Sequence, residues 1–184
     1  MNRLLEKHKF HWADKQFLFS VIYGILFLAT SLVANYITGT YATKKASGVV
    51  TDILLDNLPV FNVNFIFVNG SILFFIFIGA LIIYEPKRIP FILKSVALFI
   101  VVRSVFVTMT HLGPLPGRIY IEPNSFLEKI TFAGDLFFSG HTGLPFLFAL
   151  AFWGNKYFRY TFLAASIIGG VSVILGHLHY TIDV

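Results

Sequence analysis

Phe65-Ile66-Phe67-Val68-Asn69-Gly70-Ser71-Ile72-Leu73-Phe74-Phe75-Ile76-Phe77-Ile78-Gly79-Ala80-Leu81-Ile82-Ile83-Tyr84 contains no charged residue. A helix of that length measures about 30 Å, the thickness of a bilayer's hydrocarbon core. The run reads as a membrane span. Asn69, Gly70 and Ser71 interrupt it near its start, and small or polar residues of this kind mark helix–helix contact. The rest of the chain agrees: it is 57% hydrophobic and only 12% charged. Soluble domains sit nearer 45–50% and 25%, and a soluble core of 184 residues cannot hide so much apolar surface. Lipid offers the backbone no hydrogen-bond partner, so spanning segments pair internally as helices. The expected fold is an all-α integral membrane protein, one helical bundle.

Working outward, Glu85-Pro86-Lys87-Arg88-Ile89-Pro90 is a tight polar turn whose prolines stop one helix and start the next. A span over about 91–111 follows it. Upstream, residues 38–64 form a mixed connector, in which Val49 to Leu58 reads as an ordinary amphipathic linker, with a short interfacial helix as its other reading. Before it lies a span over about 17–36. It exceeds a signal-peptide core and has no small-residue cleavage pattern after it, so it stays as an anchor. Residues 1–16 are polar and basic. Downstream, residues 113–138 form a long connector rich in glycine and proline. Connectors of that length are often functional. Further spans are expected at about 130–153 and 160–179, separated by the polar turn Gly154 to Arg159. Five spans are therefore visible.

Lysine and arginine set the topology. Four lie in the N-terminal segment, two in the turn at 85–90 and two in the turn at 154–159. The connectors at 38–64 and 113–141 hold two each, and the remaining pair, Lys94 and Arg103, fall within the third span. The N-terminal segment is therefore expected to be cytoplasmic, and the +5 net charge reports orientation, with no nucleic-acid partner. The chain has no cysteine, which excludes disulfides and thiolate metal sites.

Two stretches with chemistry fall at the outer ends of spans. Phe138-Ser139-Gly140-His141-Thr142 opens the fourth span, and a helix N-terminus there offers N–H groups and a positive dipole end to an anion such as phosphate. Gly176-His177-Leu178-His179-Tyr180-Thr181-Ile182-Asp183-Val184 closes the fifth. His179 and Asp183 stand four apart, on one face if that stretch is helical. Asp183 then orients one imidazole nitrogen and leaves the other to act as nucleophile or base. Bottom-line alternatives for His179 and Asp183 are a helix-end histidine and a carboxylate at the water boundary. Arg103, a cation inside a span, is expected to face a polar cavity and pair with phosphate or carboxylate. Snorkelling or a structural ion pair is its other reading.

The two stretches together resemble the sphingomyelin synthase-related branch of the type 2 phosphatidic acid phosphatase (PAP2-like) superfamily. Gly134-Asp135-Leu136-Phe137-Phe138-Ser139-Gly140-His141-Thr142 looks like that branch's third motif, and His179 through Val184 like its fourth. Arg103-Ser104 through Val107-Thr108-Met109-Thr110, with Pro114-Leu115-Pro116-Gly117, is similar to the second. Asp52-Ile53-Leu54-Leu55-Asp56-Asn57-Leu58-Pro59 is a weaker echo of the first. The resemblance covers roughly residues 50–184. It implies six spans, so the last is expected to lie beyond a truncation at Val184. It also implies that residues 17–184 form a single transmembrane catalytic domain.

The resemblance further implies roles. His179 attacks a phosphodiester phosphorus and forms a phosphohistidine, Asp183 fixes its tautomer, and His141 protonates the leaving alkoxide and later deprotonates the incoming hydroxyl. No metal or other cofactor is required. Substrate contacts are expected from Arg103, Asp135, Ser139, Gly140, His177 and Tyr180. Asp135 and Tyr180 have bland readings as a loop cap and a supporting donor, and His177, two residues from His179, points to a different helix face. Plain lipid phosphatases of the superfamily carry an arginine six residues before the nucleophilic histidine and a lysine-rich first motif. Here the arginine's position is Val173, and the lysine-rich motif is missing.

The expected function is headgroup transfer from a glycerophospholipid to a lipid alcohol, ceramide or diacylglycerol, on the periplasmic or luminal face. A bacterial inner membrane is favoured. The alternative uses the same residues with water as acceptor, as a lipid phosphatase or phospholipase C-like hydrolase. A non-catalytic lipid-binding protein is the third reading.

Overall fold

The computed structural model describes residues 2–115, 117–119 and 137–184. A short helix, α1 (Asn2–Trp12), leads directly into α2 (Lys15–Lys45), whose first turn is capped by the Asp14 carboxylate accepting the Gln16 N–H at 2.9 Å. At 31 residues, α2 measures about 46 Å and outruns the hydrocarbon of a bilayer. It continues through residues 38–45, where the sequence suggested a connector. The reason is local: the hydroxyls of Thr40 and Thr43 fold back onto the carbonyls of Tyr36 and Gly39, each at 2.8 Å. Those side chains are thereby satisfied inside the helix.

α3 (Asn64–Tyr84) and α4 (Ile89–Met109) are joined by a single 3₁₀ turn, Pro86–Arg88, with Pro90 in the first turn of α4. This is the arrangement the two prolines predict. Residues 49–58 hold only one 3₁₀ turn, Leu55–Asn57. α5 (Gly140–Ala151) has 12 residues, about 18 Å, and is too short to cross a bilayer on its own. The expected span at 130–153 begins in residues outside the described ones. α6 (Lys156–Leu175) starts at an Asn155 cap, whose side chain accepts the N–H groups of Tyr157 and Phe158.

Among the described residues, four helical segments are long and apolar enough to span: α2, α3, α4 with its preceding turn, and α6. They keep large apolar side chains pointing outward, such as Phe19, Phe65, Leu73, Ile76 and Ile167. A helix that is apolar all round and mostly uncovered is suited to lipid. The chain is an all-α membrane protein, and the described residues contain no strand.

Helix contacts run α2 to α4, α4 to α5, α5 to α6 and α6 to α3. The α2–α4 crossing is close because a Cβ at Gly24 would sit 3.0 Å from that of Leu93. Ile78, Leu81, Ile92, Phe148, Phe152 and Phe162 form the main core cluster. It lies toward the end where α1, the Pro86–Arg88 turn and the α5–α6 turn meet. There His8 Nε2 lies 2.7 Å from the Ile83 carbonyl and Arg88 donates to the Ala151 carbonyl at 3.0 Å. The basic turns thus gather at one end. Both histidine stretches lie at the other.

Candidate active site

α6 does not carry His179. The helix stops at Leu175 in a Schellman motif: the Leu178 N–H donates to the Val173 carbonyl at 2.8 Å and the His177 N–H to the Ile174 carbonyl at 2.9 Å. His177 takes the left-handed conformation, φ 52°, that glycine usually supplies. The accompanying apolar contact is present, since Leu178 and Val173 pack together against Phe67. This corrects the helical expectation for residues 176–184. His179 and Asp183 are brought together by a turn, not by one α-helical face.

That turn is Thr181–Asp183, a single 3₁₀ turn. The Tyr180 N–H donates to Asp183 Oδ2 at 3.1 Å, and the Asp183 N–H donates back to the Tyr180 carbonyl at 3.0 Å. His179 Nδ1 lies 3.9 Å from Asp183 Oδ2, an ion-pair distance longer than a hydrogen bond. Both side chains are buried. Burial pushes the Asp183 carboxyl up to about 7. The Tyr180 N–H opposes the rise, the Asp52 charge adds to it, and the Arg103 charge also opposes it.

α5 brings the second histidine. Ser139 caps it in an extended conformation, and its carbonyl accepts the Gly143 N–H at 2.9 Å. Its own N–H donates to the Asp183 backbone carbonyl at 2.7 Å. One bond therefore joins the start of α5 to the His179–Asp183 turn. Gly140 is the first residue of α5 and His141 the second, so both belong to the first turn, whose N–H groups have no intrahelical acceptor. The His141 ring stacks on Phe67 of α3, with centroids 4.1 Å apart and planes at 29°. Pro145, four residues on, has no N–H to give the His141 carbonyl. Gly169 of α6 lies against that carbonyl instead, and a Cβ there would strike it.

Arg103 is buried in α4. Its Nε donates to the Phe138 carbonyl at 2.7 Å and its Nη1 to Asn35 Oδ1 of α2 at 3.3 Å. Its charge reaches both His141 and Asp183. Around these groups, Ser104 Oγ, Ser139 Oγ, Thr142 Oγ1, Asp183 Oδ1 and His177 Nε2 are buried with no hydrogen-bond partner among the described residues. Buried polar atoms are seldom left so, and a polar ligand at this place would satisfy some of them.

The Tyr180 side chain is buried, and its hydroxyl donates to the Gly113 carbonyl at 2.8 Å and accepts the Val50 N–H at 3.4 Å. Asp135 lies outside the described residues. Four participants had no sequence signal strong enough to single them out: Phe67 under His141, Asn35 beside Arg103, Gly169 behind His141, and Asp52, whose carboxylate grips Thr181. Asp52 was visible only as part of a faint motif. Val173, six residues before His179, is fully buried among apolar side chains.

The family model described as PAP2 superfamily C-terminal matches residues 133–184, a stretch that includes His141, His179 and Asp183. No curated protein and no solved structure matches the chain.

Proposed function

We propose that the chain is a membrane phosphotransferase that moves a phospho-headgroup from a glycerophospholipid to a lipid alcohol, ceramide or diacylglycerol. The match to a PAP2 superfamily model fits phosphatase-like or phosphotransferase chemistry in general. The observation that supports one shared site is the bond from the Ser139 N–H to the Asp183 carbonyl. It places a helix N-terminus bearing His141 beside the turn bearing His179, at one end of a membrane bundle.

The chemistry follows from these positions. With Nδ1 facing Asp183, His179 presents Nε2 to phosphorus. Nε2 attacks the phosphodiester in line; the P–N bond forms as the P–O bond to diacylglycerol breaks. His141 donates its proton to the departing alkoxide. An incoming lipid hydroxyl then gives its proton to His141 and attacks phosphorus. The P–N bond breaks, and His179 is regenerated with the headgroup on the new lipid. Asp183 stabilises the imidazolium of the intermediate. The first-turn N–H groups of α5 and the Arg103 charge face the phosphoryl oxygens. No step calls for a metal or other cofactor.

The diester preference rests on the cations. A phosphate monoester brings more negative charge and asks for more cationic partners. Apolar packing at Val173 leaves that position unable to supply one. In membrane terms, the basic turns face the cytoplasm and the site opens on the opposite face.

The test uses purified protein in mixed micelles with headgroup-labelled phosphatidylcholine or phosphatidylethanolamine, with and without ceramide or diacylglycerol. Label on a new lipid only when an acceptor is present, and none with His179→Ala, is the expected result. Label released to water regardless of acceptor makes the protein a hydrolase. Equal inertness of wild type and His179→Ala across donors removes the catalytic reading.

A further inference from the structure

The segment between α2 and α3 supplies none of the reacting groups, yet it holds the turn that carries Asp183. Asp52 Oδ2 accepts the Thr181 N–H at 2.7 Å, and Asp52 Oδ1 accepts the Thr181 hydroxyl at 2.8 Å. The two residues are 129 positions apart. Asp52 is itself fixed before it reaches across. Its Oδ1 also accepts the N–H groups of Leu54 at 3.1 Å and Leu55 at 3.2 Å, its N–H donates to Asp56 Oδ2 at 3.2 Å, and its carbonyl accepts the Asp56 N–H at 2.8 Å. All the donors around the carboxylate point inward. An ionised carboxylate, an acceptor at both oxygens, suits that surrounding, whereas an amide would turn an NH₂ toward some of them.

Thr181 opens the 3₁₀ turn that ends in Asp183. The turn is held at its far end by the Ser139 N–H on the Asp183 carbonyl. Just before the turn, Tyr180 is anchored through its hydroxyl to Gly113. Asp52 provides the grip at the near end. The His179–Asp183 separation of 3.9 Å depends on where that turn sits. Small displacements of such a pair are costly to catalysis.

We propose that Asp52 is a positioning residue of the reaction centre, holding the His179–Asp183 turn through Thr181 and so setting the approach of Asp183 to His179. The proposal rests on the functional reading above. Its electrostatic side is also specific. The charged and titratable groups facing Asp183 are His179 on its own segment, Arg103 on α4 and Asp52 on the connector, and the same Arg103 charge also reaches His141 on α5. Burial tends to raise Asp52, but the hydrogen bonds from Thr181, Leu55 and Leu54 outweigh it and hold the carboxyl below its ordinary value. Asp52 therefore stays ionised while Asp183 titrates, and its charge adds to the upward push on Asp183.

The experiment compares wild type with Asp52→Asn, Thr181→Val and Thr181→Ser in mixed micelles of headgroup-labelled phosphatidylcholine with ceramide. Alongside, infrared spectroscopy without substrate follows the C=O stretch of protonated Asp183, identified by its loss in Asp183→Asn. Asp52→Asn is expected to lower kcat about 10²-fold with little change in KM. It should also move the Asp183 titration to lower pH, because a negative neighbour is gone. Thr181→Val lowers kcat by less and leaves that titration near the wild-type position. Thr181→Ser, which keeps the hydroxyl, restores the rate. Wild-type kcat in Asp52→Asn, or an unmoved carboxyl titration, overturns the proposal. If Asp52→Asn does not fold, the Thr181→Val and Thr181→Ser pair decides: equal rates in both overturn it. If the wild type turns over no donor, the functional reading fails by itself, and the infrared titration still tests the link from Asp52 to Asp183.

Discussion

The two ends of the bundle are held together by different physics. At the end with the basic turns, rings do the packing. Phe74 meets Phe148 edge-on with centroids 5.7 Å apart, Phe152 and Phe162 lie at 5.8 Å, and the Arg88 guanidinium sits 4.7 Å above the Phe152 ring. At the opposite end, segments distant in sequence are joined by one or two hydrogen bonds each. Ser47 meets His111, Asp52 meets Thr181, Tyr180 meets Gly113, and Ser139 meets Asp183. Buried polar atoms without partners are left among them. Close-packed rings give stability without offering chemistry. A hydrogen-bonded cage with open valences gives up stability to hold reactive groups in a fixed relation.

The largest effect that sharpens this contrast is on turnover. His179→Ala should cut transfer by about 10⁴-fold or more, as removal of the key member of a catalytic triad does. Asp183→Asn should cost a similar factor while shifting the melting temperature by less than about 4 °C. A collapse of melting in Asp183→Asn would mean that the site end also carries the fold.

Phe162→Ala tests the other end. Deleting a fully buried ring is expected to cost about 3–5 kcal/mol in unfolding measurements, with kcat per folded molecule unchanged. A lost kcat in well-folded Phe162→Ala would show the two ends to be coupled. Gly169→Val acts between them. Its side chain meets the His141 backbone, so kcat should fall about 10²-fold through misplacement of that histidine, with a stability loss of about 1–3 kcal/mol.

The pH profile gives a subtler test. The proposed mechanism uses an ionised Asp183 to stabilise the His179 imidazolium, and burial pushes the Asp183 carboxyl up to about 7. Proton uptake as pH falls through that value removes the charge. The rate should therefore drop about tenfold per pH unit on the acid side, and a flat profile down to pH 5 would deny Asp183 that role. The smallest effect is at His177, whose left-handed conformation a β-branched residue resists. His177→Val should lose about 1–2 kcal/mol, and His177→Gly should lose none. A raised KM in His177→Gly with unchanged stability would assign its buried Nε2 to the headgroup.

Much of this was legible in the residues, for reasons that are local. Long apolar runs must be helices in lipid, so α3 and α4 appear within a residue or two of where hydropathy and the prolines at 86 and 90 put them. The end of α6 was not legible. A left-handed cap is normally announced by glycine at that position, and here the role falls to His177, one residue past Gly176. The extent of α2 was hidden because threonines that read as connector satisfy themselves against the preceding turn.

By itself, the sequence determined that the chain lives in a bilayer as helices, that its basic turns share one end, and that His141 and His179 share the other. These follow from hydropathy, span parity and charge, which are sums over neighbouring residues. Only the tertiary structure decided that a 3₁₀ turn and not a helical face brings Asp183 toward His179, that Phe67 and Gly169 fix the His141 ring and backbone, and that Asp52 reaches across to Thr181. Apart from the local turn between His179 and Asp183, which Asp52 holds in place, those contacts join residues far apart in the chain. No local pattern encodes such a meeting, because it depends on how whole helices pack.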